Sequence, residues 1–313
     1  MGISHFDEAE QVERAVGHIR GRWSFLGEAA GSERVGVKRI EVPAGGWSTP
    51  AHEHGRGEEI FYVLAGRGLS WQDEATSEIA PRDCIVYRPW GGAHTIHALE
   101  DLDLLAFGTR ALDEGMSFPR LGRSMISGRL VDSVSIDVDG IPAQHIEESK
   151  LGPPEILGEP GPRPSTIINL DTVRGEALER TRVARTRRNL GRAAGSIDSG
   201  LQHVEVAPGK EATAQHCHTL EEEIFVILGG NGTLVLGEDD ETLVRPGNVV
   251  SRPAGTGVAH VFRAGDRGLT LLAYGLREAG DMCYYPRSRK IAFRGLGVMG
   301  RIEEVRDYWD GED

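Results

Sequence analysis

Sliding the chain along itself by 164 residues superimposes STPAHEHGRGEEIFYVLAGRG, Ser48 to Gly68, on ATAQHCHTLEEEIFVILGGNG, Ala212 to Gly232. An internal repeat decides the architecture before any local propensity does. The same shift lays LGEAAGS from Leu26 on LGRAAGS from Leu190, and IEVPAG from Ile40 on VEVAPG from Val204. It also pairs Gly66 with Gly230, Gly68 with Gly232 and Pro89 with Pro253. Two extra residues in the second copy, PAGTGVAH against PWGGAH, bring His94 onto His260. One more brings LLAFGTR from Leu104 onto LLAYGLR from Leu271, and Pro119-Arg120 onto Pro286-Arg287. One domain has been duplicated.

Inside each copy the pattern is that of short strands. GVKRIEV, EIFYVLAG and DCIVYRP are rich in Ile, Val, Tyr and Phe and are bounded by Gly and Pro. LAGRGLSW and LGGNGTLVLG read as hairpins with glycine-containing loops. Glycine at 42 of 313 residues suits such a turn-rich chain. No long 3.6-residue periodicity interrupts either copy, so each is expected to be an antiparallel sandwich or barrel and the chain all-β. The expected organisation is an N-terminal arm at 1–25, a first domain at 26–122, a connector at 123–189, a second domain at 190–290 and a tail at 291–313. The connector contains the Pro/Gly-rich LGPPEILGEPGPRPS. The Arg-rich ALERTRVARTRRNL that follows is compatible with a short helix and is expected to be a solvated or salt-bridged connector, not a binding element. The tail carries Leu296, Val298, Met299, Ile302, Tyr308 and Trp309, more apolar surface than a free acidic end should show, and is expected to pack on the barrels.

Net charge is −13 with a pI near 5.4, which repels a phosphate backbone, so nucleic acid is excluded as the default partner. No window is apolar enough to span a membrane. The opening MGISHFDEAEQVERAVGHIRG lacks the basic start and apolar core of a secretory signal. Cys84, Cys217 and Cys283 form neither an even set nor a CxxC pair, which suits a reducing cytoplasm. Cys84 and Cys217 are expected to pack as small apolar residues. A small-molecule partner is expected, and homo-oligomerisation is left open.

The histidines carry the chemistry. Alternate residues of a strand share a face, so His52 and His54 point together, as do His216 and His218 across Cys217. Glu59 and Glu223 each begin the next strand, with Phe61 and Phe225 on the same face. His94 and His260 follow a Pro-x-Gly turn that swings in a third imidazole. Three neutral nitrogens and one carboxylate suit a divalent transition ion, Mn, Fe, Co, Ni, Cu or Zn, one per copy.

With these residues the sequence resembles a bicupin of the cupin superfamily. The family's first motif, G(X)5HXH(X)3–4E(X)6G, is met by Gly46, His52, His54, Glu59 and Gly66, and in the second copy by His216, His218, Glu223 and Gly230 with Lys210 at the first glycine position. The second motif, G(X)5PXG(X)2H(X)3N, gives Pro89, Gly91 and His94 with Asp83 and Ala98 at the first and last positions. The second copy gives Gly247, Pro253, Gly255 and His260 with two extra residues and Ala264 for the Asn. The departures fall on turns, not on ligands. The resemblance implies two tandem jelly-roll barrels, each holding a metal through His52, His54, Glu59 and His94 or His216, His218, Glu223 and His260.

It further implies a metalloenzyme of oxidoreductase type, dioxygenase-like or decarboxylase-like, acting on a small oxygen-rich substrate. The alternatives are a non-redox isomerase of a sugar or keto acid, which would need cationic residues in the pocket, and a non-catalytic small-molecule binder. No segment with an evident catalytic carboxylate is legible over either site. Candidate substrate residues are Phe61, Phe225, Trp90 at the mouth of the first pocket, and Arg88 and Arg252, for which a substrate carboxylate and an ion pair on the outer face are both open. The first copy, matching the motif without insertion, is expected to carry the chemistry.

Overall fold

The computed structural model describes residues 2–111, 114–126, 129–131 and 141–312; parts of the connector, at 127–128 and 132–140, lie outside the described residues, as do 112–113, Met1 and Asp313. The chain folds into two antiparallel β-barrels. The larger sheet of the first runs in the order Ile167–Asn169, Asp83–Tyr87, Glu59–Ala65, Leu102–Thr109, Val35–Val42, Ile19–Ser24, Gln11–Val16. His94–Ala98, Gly68–Gln72 and Ala75–Ile79 form a second sheet. The second barrel repeats the plan in the order Gly2–His5, Asn248–Arg252, Glu223–Leu236, His260–Leu276, Ser199–Val206, Ala184–Asn189, Glu176–Glu179.

Strand alternation divides the apolar side chains between two jobs. Phe61, Val63, Ile85, Leu104 and Ile40 fill the first barrel, and Phe225, Ile227, Val250, Leu271 and Val204 fill the second. Their neighbours point the other way and meet across the interface: Ile60, Tyr62, Val86, Leu105 and Phe107 pack with Ile224, Val226, Val249, Leu272 and Tyr274 in one shared core. Apolar side chains buried on both faces join the two halves through one shared core.

The barrels also exchange strands. Gly2–His5 pairs with Asn248–Arg252 of the second barrel, and Ile167–Asn169 pairs with Asp83–Tyr87 of the first. The exchanged strands are themselves related by the repeat, which therefore reaches further back than Leu26 and Leu190. A second reciprocal exchange lies beside it. The buried Glu58 carboxylate accepts hydrogen bonds from the second half, at Ser196 Oγ, the Ile197, Asp198 and Ser199 amides and Ser199 Oγ. Its counterpart Glu222 accepts from the amides of Glu33, Arg34 and Val35 in the first half.

Two expectations are corrected. The Arg-rich run is not a helix: Glu176–Glu179 and Ala184–Asn189 form a hairpin that pairs with Ser199–Val206, as Gln11–Val16 and Ile19–Ser24 do in the first half. An open sheet edge supplies hydrogen-bond partners for every other peptide group, and pairing overrides the weak helical preference of the Arg side chains. The tail's apolar Leu296, Val298, Met299, Tyr308 and Trp309 do not pack on the barrels, although Arg294 pairs with the buried Glu221 and, with Ala292, lines the second cavity. Its strands Lys290–Phe293 and Val298–Arg301 extend a small sheet through Met282–Tyr285 to Cys217–His218. Leu296 stays 75% exposed and Trp309 69%, because backbone pairing and not apolar burial holds the tail.

Candidate metal centres

Each cluster is assembled from three places in its barrel. His52 and His94 bridge one another across antiparallel segments, as do His216 and His260. His54 and His218 sit on two-residue strands held by Gly115–Phe118 and Met282–Tyr285. Glu59 and Glu223 open the central strands. In the first barrel, Glu59 Oε2 lies 3.8 Å from His52 Nε2, 3.7 Å from His54 Nε2 and 3.2 Å from His94 Nε2. In the second, Glu223 Oε2 lies 4.0 Å from His216 Nε2, 3.7 Å from His218 Nε2 and 3.2 Å from His260 Nε2. All eight sequence-predicted ligands are thus brought into two clusters.

The fit to a metal is tested by where the other ring nitrogens go. His52 Nδ1 and His216 Nδ1 each lie 2.9 Å from a carbonyl, of Pro50 and Ala214. His218 Nδ1 lies 2.6 Å from Asp281 Oδ2, and His54 Nδ1 3.5 Å from Glu114 Oε1. An Nδ1–H donated outward leaves the Nε2 lone pair facing inward, the arrangement a metal-ligating histidine requires. Buried atoms without a hydrogen-bond partner include His54 Nε2, His260 Nε2 and Glu223 Oε2, all aimed at the cluster centres. The residues fit a divalent ion in each half. The first set closes as one four-ligand group; in the second, His216, Glu223 and His260 group together while His218 lies with His216 and Cys283.

The electrostatics agree. Burial lowers His52 to about 3 and His216 to about 4, so both are neutral. Burial works against the Glu59 carboxylate, yet the neighbouring imidazoles of His54 and His94, the latter within hydrogen-bond distance, hold it well below the usual range. Burial likewise opposes the charged form of His54, but Glu114 and Glu59 raise it to about 9. A divalent ion would take the place of that proton.

Glu114 and Asp281 were not singled out in the sequence. Glu114 also accepts from the amides of Gly55, Arg56 and Gly57, and Asp281 from those of Thr219, Leu220 and Glu221, so each carboxylate fixes the loop after the His-x-His as well as one imidazole. The signal was available: the offset that aligns LLAFGTR with LLAYGLR places Glu114 on Asp281.

The cavities differ. The second cluster opens on one of about 470 Å³, walled by Phe225, Gln202, Arg185 and Arg187 among others. The first opens on about 180 Å³, beside Lys38, Ala106 and Arg110. Lys38 pairs with Ala106, which pairs with Phe61; Gln202, Ala273 and Phe225 repeat that row. Trp23 stands where Arg187 stands in the second copy, and the helix Ala143–Leu151 lays the buried His145 edge-on against it, 6.4 Å between ring centroids. That helix covers the first barrel where the second is open.

Of the candidate substrate residues, Phe225 lines the larger cavity, and Phe61 is buried against Tyr87. Trp90 is 72% exposed on the outer surface and does not line the first pocket. Arg88 and Arg252, aligned through their prolines, are not equivalent in space. Pairing sets Arg252 opposite Glu223 but Tyr87 opposite Glu59, a one-residue slip that reverses faces. Arg88 is exposed and reaches Gly195 of the other half. Arg252 is buried near the second cluster, donating to the Val258 carbonyl.

Comparison with known proteins agrees with this architecture. The Cupin domain family model matches twice, at residues 38–107 and 202–273. Oxalate decarboxylase from Bacillus subtilis superposes with a TM-score of 0.55 at 14% identity, covering 88% of this chain and 75% of that one. A formate complex of Lactobacillus farciminis oxalate decarboxylase gives 0.57 at 14%, covering 88% and 86%. Identity this low speaks to fold alone. A structure from Acidithiobacillus ferrooxidans, provisionally named a sugar phosphate isomerase, is 32% identical over 40% of this chain and 83% of that one, with a TM-score of 0.36 too low to bear on function. No curated protein matches the sequence. Two family matches, two barrels and a His/Glu cluster in each place the chain in the cupin superfamily, as a bicupin.

Proposed function

We propose that this bicupin is a metal-dependent enzyme of oxidoreductase type, dioxygenase-like or decarboxylase-like, acting on a small, oxygen-rich organic anion, with one divalent transition ion per barrel. The observation that carries the reading is a cation without a carboxylate partner in the wall of each cavity. Strand pairing with Val206 and Val204 turns Arg185 and Arg187 into the second barrel. Arg187 is matched by Glu176, whereas Arg185 donates only to the Ala212 carbonyl, at 2.7 Å. In the first barrel Lys38 is exposed along the cavity wall, and desolvation there lowers its pKa. Among the described residues neither Lys38 nor Arg185 has an acidic group within ion-pair distance. A substrate carboxylate would supply one through charge-assisted hydrogen bonds.

The ion, when bound, supplies Lewis acidity and, as Fe, Mn, Ni or Cu, a redox centre. The chain's own part is positioning. Arg185 and Gln202 hold the polar end of the substrate, Phe225 walls its carbon frame, and Asp281 keeps His218 aimed inward. The open second barrel is the better chamber for this, which reverses the ranking expected from motif spacing. A cavity of about 470 Å³ falls in the usual range for small-molecule sites.

Arg185 and Arg187 also favour a second reading, a non-redox isomerase of a sugar or keto acid. Lys210, the lysine nearest a motif, does not contribute: its Nζ lies on the Thr181 carbonyl. Oxygen consumption over a panel of small carboxylates, flavonoids and aromatic diols, with product analysis in parallel, tests both. Turnover with a redox-active ion that falls in Arg185→Met supports the first reading. Isomerised product with zinc and no oxygen uptake supports the second, and binding without turnover of any compound refutes both.

A further inference from the structure

Cys283 lies opposite His218 in the antiparallel pair that also sets Cys217 opposite Tyr284. Directly opposed residues project on one face, so Cys283 shares the inward face with His218 while Cys217 turns away. It is 8% exposed and lines the larger cavity. Its sulfur and ring nitrogens of His216 and His218 lie within 4.8 Å of one another. A zinc-type ion sets nitrogen and sulfur donors about 2.0–2.3 Å away, so donors on opposite sides of it stand roughly 4–4.6 Å apart. These three can therefore meet one ion after small side-chain shifts. In the first barrel the residue opposite His54 is Met116. The two centres, alike in their histidines and glutamate, differ at this one donor.

We propose that Cys283 is a further protein ligand of the second centre, which makes that centre a nitrogen, oxygen and sulfur site selective for thiophilic divalent ions such as Zn²⁺, Co²⁺ and Cd²⁺. The first centre, where a neutral methionine thioether and not a thiolate stands opposite the histidine, accommodates harder ions such as Mn²⁺ equally well. The inference rests on the reading that the second cluster binds metal. Thiolate ligands select soft and borderline ions over hard ones. Burial pushes the free Cys283 thiol up to about 12. As the metal–sulfur bond forms, the S–H bond breaks and its proton passes to solvent; no electrons are transferred.

The test is titration of metal-free protein with Co²⁺, following bound equivalents by equilibrium dialysis and the thiolate-to-cobalt charge-transfer band in the near ultraviolet. Wild type should bind two equivalents, one of them with the band. Cys283→Ser should lose the band and weaken one of the two equivalents by roughly tenfold or more. Cys217→Ser, as a control, should keep both. Alkylation mapped by mass spectrometry gives a readout on the unmutated chain: Cd²⁺ should slow modification of Cys283 by roughly tenfold or more, as expected of a thiolate held on metal. Two bound equivalents with no band, or a band that survives Cys283→Ser, would overturn the assignment and leave the metal reading intact. Failure to bind Co²⁺ in the second barrel would overturn both.

Discussion

Replacing Glu58 with alanine should show whether the two barrels are one folding unit. The carboxylate is 2% exposed and receives Ser196 Oγ at 3.0 Å, Ile197 N at 2.5 Å, Asp198 N at 3.2 Å, Ser199 N at 3.1 Å and Ser199 Oγ at 2.9 Å, all from the other half. Truncation leaves those donors facing a void. Each buried donor left unpaired costs about 1–3 kcal/mol, and the hydroxyls can turn elsewhere, so the three amides dominate. Allowing for water entry and relaxation, the loss should be roughly 3–5 kcal/mol, the lower part of the sum over three unpaired amides. Glu222→Ala, at the counterpart site, should cost a similar amount. Urea unfolding of chelated protein, by fluorescence and far-UV dichroism together, measures it without metal linkage. Coincident transitions shifted by that amount are expected. A loss under about 1 kcal/mol would mean the exposed-surface range applies and that the apolar interface alone joins the barrels.

Three further outcomes follow from the geometry. Asp281→Asn removes the anionic partner of His218 Nδ1 and should weaken metal at the second centre by about 10–100-fold, with the first unchanged, as read by competition with a chromophoric chelator. Burial lowers His145 to about 3 from an ordinary value near 6.5, so the native state resists its protonation; stability should be full above about pH 6.5 and decline as pH falls toward 3. His145→Gln should flatten that decline in melting profiles, and an unchanged profile would show that other groups drive it. Deleting residues 303–313 should change stability by less than about 0.5 kcal/mol, since the described residues 303–312 make no strand pairs and are exposed; a larger loss would show that the tail is held in a way the exposed side chains do not reveal.

The His/Glu clusters were legible because a metal-binding pattern restricts residue type and spacing together, and duplication printed the pattern twice. The barrels were legible from the same repeat and from strand alternation. What escaped depends on pairing across the fold. The Arg-rich run became strands because a sheet edge was waiting for it, and nothing local in ALERTRVARTRRNL announces that edge. Arg88 and Arg252 share a Pro-adjacent position, yet a one-residue slip in pairing turns one out and the other in. The tail's apolar residues suggested burial, but hairpin hydrogen bonds hold its strands while Leu296, Val298, Met299, Tyr308 and Trp309 stay in solvent. Lys38 and Arg185 are ordinary surface-type residues in sequence; only register with Ala106 and Val206 shows that they face the cavities.

Metal content of protein purified without added metal, measured by mass spectrometry on wild type and two double variants, tests the central claim most directly. Two ligand sets lead to an expectation of about two ions per chain in the wild type. His52→Ala with His54→Ala, and separately His216→Ala with His218→Ala, should each remove one ion and leave the other. A wild type without transition metal that also takes up none on addition, or content unchanged in both folded variants, would contradict the assignment of these clusters as metal centres.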